Sequence, residues 1–270
     1  MTAAASGARR ALVTGASSGI GAAFARALAA RGLDLVLVAR TVPALEALAT
    51  ELRAAHGVTV DVIPADLADQ AAPHAILDEL AARGIEIGTL VNNAGFATYG
   101  ELVTLAPERE RDEVMVNVLA PQQLTRALLP AMLARRAGAI VNVASNAAFQ
   151  PVPYMATYGA TKAFLLSFSE ALAEEVRGSG VRVLALCPGQ TETPFFTGID
   201  DARLGRARSP EQVVRTALRA LDRGRVVIVD GIANTLLAQS ARISPRWLTR
   251  RVAGIMQKPS APANRPRSAG

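Results

Sequence analysis

The amino-acid sequence predicts an α/β fold, with a doubly wound parallel sheet in one domain followed by a basic C-terminal extension. Short apolar runs rich in β-branched residues alternate with alanine- and leucine-rich stretches of helical length, which is the pattern of βαβ units. The apolar runs are continuous rather than alternating, so we expect both faces of the sheet to be covered. The chain has 270 residues, half of them hydrophobic and 19% charged, so it can bury a sizeable core.

Seven strands alternate with six helices in this prediction. The strands are Ala11–Thr14, Asp34–Ala39, Val58–Pro64, Thr89–Asn92, Ala139–Ala144, Val181–Cys187 and Val226–Val229. The helices are Gly19–Arg31, Pro43–His56, Ala72–Arg83, Pro107–Arg135, Tyr154–Gly178 and Pro210–Arg223. A capping box is predicted where Ser209 precedes Pro210 and Gln212 stands at the third helical position. Gly178 and Gly224 stand where helix-ending glycines are expected.

The composition argues against several kinds of site. The single cysteine, Cys187, excludes an intrachain disulfide and a thiolate zinc cluster, and with only two histidines no metal site is predicted. No apolar run approaches the roughly 18 residues that a membrane span requires. Residues 1–10 lack the apolar core of a signal peptide. We therefore expect a cytoplasmic protein.

The positive charge is concentrated at the C-terminal end. The net charge is +6, from 29 basic and 23 acidic residues, and no acidic residue follows Asp230. Seven basic residues follow Asp230: Arg242, Arg246, Arg250, Arg251, Lys258, Arg265 and Arg267. Residues 1–230 therefore hold 22 basic and 23 acidic residues, a net charge of −1. Aromatic residues make up only 4% of the chain, so we expect no nucleic-acid partner.

The extension is predicted as an amphipathic helical segment over residues 231–258. Trp247 stands among arginines and is followed by Leu248, Val252, Ile255 and Met256. Such a helix can lie on a membrane surface, on a partner or on the protein's own body. We favour packing on the domain itself or on a second subunit over peripheral membrane contact. Residues 259–270, rich in Pro, Ala, Ser and Arg, are predicted to be disordered.

A glycine-rich turn follows the first predicted strand and opens the first helix. It reads T-G-A-S-S-G-I-G over residues 14–21. Glycines allow a tight turn and close approach of a pyrophosphate, while the helix N-terminus offers free N–H groups. Any tight β–α turn favours glycine, but the position in a doubly wound pattern points to a Rossmann-like dinucleotide site. The residues predicted to bind there are Gly15, Ser17, Ser18, Gly19, Ile20 and Gly21.

The end of the second strand predicts which dinucleotide is bound. An acidic residue there would bind the ribose 2′-hydroxyl of NAD, but the strand ends in Ala39 and Arg40. An arginine can instead pair with a 2′-phosphate through its planar fork. We therefore favour NADP(H), with a solvated loop arginine as the alternative.

Three polar residues form a candidate catalytic group. Tyr158 and Lys162 are four residues apart on one helix face, and a nearby ammonium is expected to lower the pKa of a tyrosine. Such a pair is a plausible general acid and base, although this spacing also occurs by chance on surface helices. Ser145 directly follows the fifth predicted strand, at the ligand-binding edge of the sheet, where its hydroxyl can donate to a substrate oxygen.

Taken together, these residues make the chain resemble the single-domain short-chain dehydrogenase/reductase family over residues 9–230. Its T-G-x-x-x-G-x-G turn and its S-x12-Y-x-x-x-K core are both present. Asn117 matches the position of the catalytic asparagine of the family. The resemblance also assigns cofactor contacts to Asp66, Leu67, Asn93, Ala94, Gly95, Pro188, Gly189, Thr191 and Thr193, in addition to Tyr158 and Lys162.

The resemblance implies a role for each catalytic residue. Tyr158 would exchange a proton with the substrate oxygen, and Ser145 would hydrogen-bond that oxygen. Lys162 would lower the Tyr158 pKa and hold the nicotinamide ribose, and Asn117 would anchor a water in a proton path. Three structural alternatives stay open. The asparagines at 92 and 93 could only satisfy backbone groups, Asp66 could only cap the next segment, and Cys187 could be a small buried residue.

The substrate is predicted only as a carbonyl/alcohol pair, with preference for an apolar ketone or a 3-oxoacyl group. Four aromatic residues suggest an apolar pocket, or alternatively core packing: Phe96, Tyr99, Phe149 and Tyr154. The segment 194–199 is expected to form a lid. Three following arginines could attract an anionic substrate or be solvated: Arg203, Arg206 and Arg208.

Two further expectations concern the protein as a whole. The alternative function is a non-catalytic, dinucleotide-binding regulatory protein on the same fold. A homodimer or homotetramer is expected through the helices predicted over 107–135 and 154–178.

Overall fold

The computed structural model describes residues 8–193, 195 and 207–258, and these form a seven-stranded parallel sheet with helices on both faces. The strand order is β3-β2-β1-β4-β5-β6-β7. The strands are β1 Arg10–Thr14, β2 Asp34–Ala39, β3 Val60–Pro64, β4 Thr89–Asn92, β5 Gly138–Val143, β6 Val181–Cys187 and β7 Val227–Val229. The predicted fold class is confirmed. The predicted disordered tail, 259–270, lies outside the described residues.

Nine α-helices occur in the described part of the chain. They are α1 Gly19–Ala29, α2 Val42–His56, α3 Ala72–Ala82, α4 Pro107–Val114, α5 Ala120–Ala134, α6 Ala156–Glu175, α7 Pro210–Asp222, α8 Ile232–Ile243 and α9 Arg246–Gln257. Among the described residues, no helix is both long enough and apolar enough to cross a membrane.

The core lies in two layers, one on each side of the sheet. Val13 packs into the layer formed with α1, α2 and α7, whereas its neighbour Leu12 packs into the layer formed with α3, α5 and α6. Successive residues of a strand point to opposite faces of the sheet. Because helices cover both faces, both side chains are fully buried. This arrangement explains why the strands are apolar throughout their length.

The strand order reverses at β1, which pairs with β2 on one side and β4 on the other. The connections after β1 and β4 therefore leave the sheet in opposite directions, and a crevice opens at their carboxyl ends. This switch point is where ligands bind in open α/β sheets.

Two predicted helices differ most from the structure, whereas the other four differ by at most two residues at either end. The segment 107–135 is not one helix, because a π-helical turn, Met115–Leu119, separates α4 from α5. Pro121 has no amide hydrogen to donate to the carbonyl of Asn117, so the regular bonding pattern cannot continue there. The helix predicted from Tyr154 begins at Ala156, because Tyr154 has a positive φ of 65° that is incompatible with an α-helix.

The predicted capping box of α7 is present. The Gln212 amide donates to the Ser209 hydroxyl oxygen at 3.3 Å, and the Ser209 amide donates to Oε1 of Gln212 at 3.4 Å.

We expect Ser209→Ala to lower the free energy of unfolding by about 1 kcal/mol, because it removes the side-chain acceptor. Ser209→Asp keeps an acceptor and is the matched control. Urea unfolding of both variants checks this, and equal losses in the two would contradict it.

Candidate active site

The carboxyl ends of the central strands border a cleft of about 440 Å³. Most of the residues predicted as site residues line it: Gly15, Ser17, Ser18, Gly19, Ile20, Arg40, Asp66, Leu67, Asn93, Ala94, Gly95, Ser145, Tyr158, Lys162, Pro188, Gly189, Thr191 and Thr193. The two that do not are Gly21 and Asn117, which lie behind the cleft wall. The structure thus brings together residues that are spread over about 180 positions of the sequence.

The glycine turn is held against the end of β4. Nδ2 of Asn93 donates to the carbonyl oxygens of Thr14 at 2.9 Å and Gly15 at 3.2 Å, and the Thr14 hydroxyl accepts from the Asn93 amide at 3.0 Å. A Cβ atom on Gly21 would overlap the Gly15 carbonyl, which explains why a glycine is needed there. Asn93 therefore fixes the shape of the turn.

The N-terminus of α1 faces the cleft with its backbone donors available to a ligand. Ser18 is the N-cap, yet its side chain makes no capping hydrogen bond, and the first turn of α1 contains no acidic residue. Free N–H groups and the positive end of the helix dipole favour an anion at this position. The turn therefore fits the pyrophosphate of a dinucleotide.

Arg40 follows β2 at the rim of the same cleft. Its side chain is 70% exposed, and Nη1 lies 3.9 Å from Oδ2 of Asp66. An ion pair this exposed contributes little to stability, so the guanidinium is free to turn toward another anion. Oδ1 of Asp66 also accepts from the Ala68 amide at 3.1 Å, so Asp66 caps its own loop as well as lining the cleft.

Tyr158 and Lys162 lie buried at the base of the cleft, 6% and 3% exposed. Nζ of Lys162 donates to the Val143 carbonyl at 2.9 Å and lies 5.7 Å from the centre of the Tyr158 ring. Ser145 follows β5 and hydrogen-bonds to Tyr158, and its hydroxyl accepts from the Ala147 amide at 3.1 Å. The three predicted catalytic side chains are therefore assembled at one point.

In the protein without a ligand, burial is the main cause of the shifted pKa values of Tyr158 and Lys162. It raises the pKa of Tyr158 to about 12, against a smaller lowering by the Ser145 hydrogen bond, and it lowers the pKa of Lys162 to about 8. The expectation that Lys162 brings the Tyr158 pKa down is therefore wrong for the protein by itself. The reason is that the ammonium is directed at the Val143 carbonyl, while both groups lose their hydration. At neutral pH Tyr158 is a protonated phenol.

Asn117 lies within the π-helical turn and is completely buried. Its Nδ2 donates to the Phe96 carbonyl at 2.9 Å and to the Thr161 hydroxyl at 3.1 Å, and its Oδ1 accepts from the Phe96 amide at 3.2 Å. Its Oδ1 and Nζ of Lys162 both border Gly95, where any Cβ would lie within 3.3 Å of each. Asn117 and Lys162 therefore both lie next to Gly95.

Glu113 is a buried carboxyl that the sequence did not single out. It lies one helical turn before Asn117, and its Oε2 accepts from the Thr98 amide at 2.9 Å and from the Thr98 hydroxyl at 2.6 Å. Its Oε1 is buried without a hydrogen-bond partner among the described residues. Burial raises the Glu113 pKa, and the carboxyl interacts electrostatically with Lys162. In the sequence it belongs to a charged run, 108–113, that is typical of a solvated face, so only its spacing from Asn117 could have indicated it.

Asn92 and Cys187 both have structural roles, although Asn92 bonds mainly to side chains and not, as the alternative supposed, only to backbone groups. Nδ2 of Asn92 donates to Oδ1 of Asn142 at 2.8 Å and to the Thr125 hydroxyl at 3.1 Å, so Asn92 joins β4 to β5 and α5. Cys187 is fully buried at the end of β6, which fits a small core residue.

The predicted aromatic residues separate into different environments. Phe96 lines the cleft, and Tyr99 packs in a cluster with Val152, Met155 and Tyr158. Phe149, in contrast, packs against the core under α6, and Tyr154 borders a separate small cavity. The prediction of a shared pocket is therefore wrong for these two.

The predicted lid and its arginines are described only in part. Of the segment 194–199, only Phe195 is described, and its ring lies 5.6 Å from that of Tyr158. Arg203 and Arg206 lie outside the described residues. Nε of Arg208 lies 2.7 Å from Oδ2 of the buried Asp230, so this partly exposed arginine is ion-paired within the domain.

A doubly wound sheet with a glycine-rich turn directly after its first strand defines the Rossmann-like class of proteins. Within that class, residues 9–204 match the short chain dehydrogenase family, and the chain belongs to it. Together with the strand order and the cleft, this match confirms the resemblance drawn from the sequence.

Curated relatives and solved structures agree with this family. Hydroxysteroid dehydrogenase-like protein 1 of Gallus gallus is 41% identical over 183 residues, 67% of this chain and 55% of the relative. The chain therefore spans about half of that relative's length. Very-long-chain 3-oxoacyl-CoA reductase of Homo sapiens is 30% identical over 259 residues, 92% of this chain and 79% of the relative. A short-chain dehydrogenase from Sphingobium yanoikuyae in complex with NADPH is 36% identical, with a TM-score of 0.78 over 96% of this chain and 99% of that one.

The cost of burying the Lys162 ammonium can be tested by measuring the free energy of unfolding. We expect Lys162→Met to raise the free energy of unfolding at pH 7 by about 1–3 kcal/mol, because it removes a desolvated charge. The cost of burying that charge is fully present below pH 8 and is lost as pH rises from 8 toward and beyond 10.5, the ordinary pKa of lysine, where the side chain becomes neutral in the unfolded chain as well. Urea unfolding at pH 7 and pH 10 measures both values. A loss of stability at pH 7 would contradict this expectation.

Proposed function

We propose that the protein is an NADP(H)-dependent oxidoreductase that reduces a carbonyl to an alcohol, or performs the reverse reaction. One observation carries the proposal. The buried Tyr158, Lys162 and Ser145 meet in the same cleft onto which the glycine turn and the N-terminus of α1 open. A dinucleotide on the turn would have its reactive end beside the phenol.

Different residues along the cleft would hold different parts of the dinucleotide. The turn would bind the pyrophosphate, Arg40 and Asp66 would contact the adenosine end, and Thr193 would contact the nicotinamide end. When bound, the nicotinamide supplies the hydride. Ser17, Ser18 and Thr191 offer further hydrogen-bonding groups along the same path.

The protonation states of the protein alone suit the direction of carbonyl reduction. Tyr158 is a protonated phenol at pH 7 and can donate its proton to the substrate oxygen as that oxygen gains charge. Ser145 is placed to hydrogen-bond the same oxygen. Nζ of Lys162, 5.7 Å from the centre of the Tyr158 ring, would be the cation beside the phenolate that remains, and Asn117 borders Gly95 together with it. Oxidation needs the phenolate first, so it is favoured by higher pH.

The preference for NADP(H) is supported by Arg40 and by the absence of an acidic side chain at the end of β2, which closes with Ala39. A 2′-phosphate would compete with the weak 3.9 Å pair between Arg40 and Asp66. The NADPH complex of the Sphingobium yanoikuyae relative agrees with this preference.

The substrate is proposed to be an apolar ketone or a 3-oxoacyl compound. Beside Tyr158 the site is apolar, with Val152, Met155, Tyr99 and Phe195 in one cluster. The 3-oxoacyl-CoA reductase relatives support the second class. Assembly into a homodimer or homotetramer and a cytoplasmic location remain predictions.

Removing the phenol hydroxyl tests the enzymatic proposal. We expect Tyr158→Phe to lower kcat about 10²- to 10⁴-fold, because the general acid is lost. Binding of NADPH, measured by fluorescence titration, is expected to stay within about twofold, since the hydroxyl makes no essential contact with the phosphates. The activity assay follows NADPH absorbance over a panel of ketones and 3-oxoacyl thioesters. Unchanged turnover in the variant would show that Tyr158 is not the general acid. Wild-type protein that binds NADPH but turns over none of the panel would support the non-catalytic regulatory alternative instead.

Removing the guanidinium tests the choice of cofactor. We expect Arg40→Ala to weaken NADPH binding about 10- to 100-fold, because a charge-assisted hydrogen-bonded pair with the 2′-phosphate is lost. NADH binding should not change. Arg26→Ala, which removes an exposed arginine on α1, is the control and should affect neither. Wild-type protein that binds NADH as tightly as NADPH would overturn the assignment.

A further inference from the structure

The two C-terminal helices expose most of their large apolar side chains. Of the fifteen large hydrophobic residues that are exposed in the described part of the chain, eight belong to α8 and α9. These eight are Ile232, Leu236, Leu237, Ile243, Trp247, Leu248, Val252 and Ile255. The other seven are spread over the much longer remainder of the described residues, whereas a concentration of this kind indicates a binding surface.

The helices contact the rest of the domain through small residues instead. Ala238 on α8 and Ala253 on α9 are buried, and Gly254 lies against Pro153. The end of α9 is held by the Tyr99 hydroxyl, which donates to the Gln257 carbonyl at 2.8 Å. The packing of the extension on its own domain, favoured from the sequence, therefore occurs but leaves the apolar side chains uncovered. We call this outward face the C-terminal face.

The charge of the C-terminal face indicates which kind of surface it binds. Residues 231–258 contain five basic residues and no acidic one. Arg246, Arg250 and Arg251 are exposed beside Trp247 and Val252. Two copies of the chain that met through this face would bring like charges together, whereas an anionic surface would be attracted. Exposed apolar side chains bordered by arginines are the composition of a helix that lies in a lipid headgroup region.

We propose that the C-terminal face, formed by α8 and α9, docks on the surface of an anionic lipid bilayer. Leu248, Val252 and Ile255 recur at helical spacing and would enter the headgroup region, with the arginines next to lipid phosphates. Trp247 is an amphipathic side chain of the kind enriched at that depth.

The docked orientation would bring the substrate side of the cleft to the lipid, a consequence that rests on the proposed function. α8 contacts the short turn Asn146–Phe149 that follows Ser145. α9 lies against Pro153 and Tyr99, and Tyr99 packs in the cluster with Tyr158. An apolar substrate dissolved in the bilayer could then reach Tyr158 with a short path through water.

The single tryptophan of the chain makes docking directly measurable. Trp247 is 57% exposed, so transfer to a bilayer is expected to shift its emission to shorter wavelength. We expect this shift with vesicles of phosphatidylcholine and phosphatidylserine, and its loss with phosphatidylcholine alone or at high salt. Brominated lipids should quench the shifted emission. The measurement needs no substrate, so its failure would leave the proposed oxidoreductase function standing.

Matched variants separate the contributions of charge and apolar contact. Arg250→Gln/Arg251→Gln should weaken vesicle binding roughly 30-fold, as expected for the loss of two cations near an anionic surface. Arg215→Gln/Arg219→Gln, which removes two exposed arginines from α7, should leave it unchanged. Ile255→Gln should also weaken binding, while Val42→Gln, a comparably simple change at an exposed residue of α2, should not. Thermal unfolding confirms that each variant is folded.

Three outcomes would overturn the proposal. One is equal binding to neutral and anionic vesicles. Another is no binding to either. The third is a fluorescence shift that appears without lipid as protein concentration rises, together with a doubled mass by light scattering, because a second copy would then cover the C-terminal face.

Discussion

The burial of an ammonium beside a phenol is the constraint on which this site depends. Lys162 and Tyr158 both lose their hydration, and each is shifted toward its neutral form. The ammonium donates to the Val143 carbonyl at the base of the cleft, and like Asn117 it borders Gly95. Such a charge is costly unless its surroundings are fixed. The rigid end of β5, the π-helical turn and helix α6 all contribute to fixing them.

The π-helical turn illustrates how a local backbone feature serves the site. Without it, Asn117 would continue a regular helix, and its amide would point elsewhere. Pro121 removes one backbone donor, and the resulting wide turn places the Asn117 side chain between Phe96 and Thr161. Glu113, one turn earlier, adds a buried carboxyl whose charge acts on Lys162. The electrostatics at the base of the cleft therefore depend on the wall behind it as well as on the residues that line it.

The molecule combines two surfaces of different character. The cleft is lined by backbone groups, hydroxyls and a buried tyrosine–lysine pair, and it lies where the strand order of the sheet reverses. The C-terminal face presents large apolar residues and arginines outward, and it adjoins the substrate side of that cleft through Tyr99 and Pro153. In the two proposals made above, this adjacency would let an apolar carbonyl compound pass from the bilayer to the cleft.

The sequence alone determined the order of the elements, the glycine turn and the identity of the polar residues in the cleft. These are local properties: continuous apolar runs, the capping box of Ser209 and the spacing of Tyr158 and Lys162 depend only on neighbours along the chain. Tertiary structure alone decided the rest. It paired Arg208 with Asp230, moved Phe149 and Tyr154 away from the cleft and buried Glu113. It also reversed the expected shift of the Tyr158 pKa, because desolvation depends on everything packed around a group and not on its nearest neighbour in sequence.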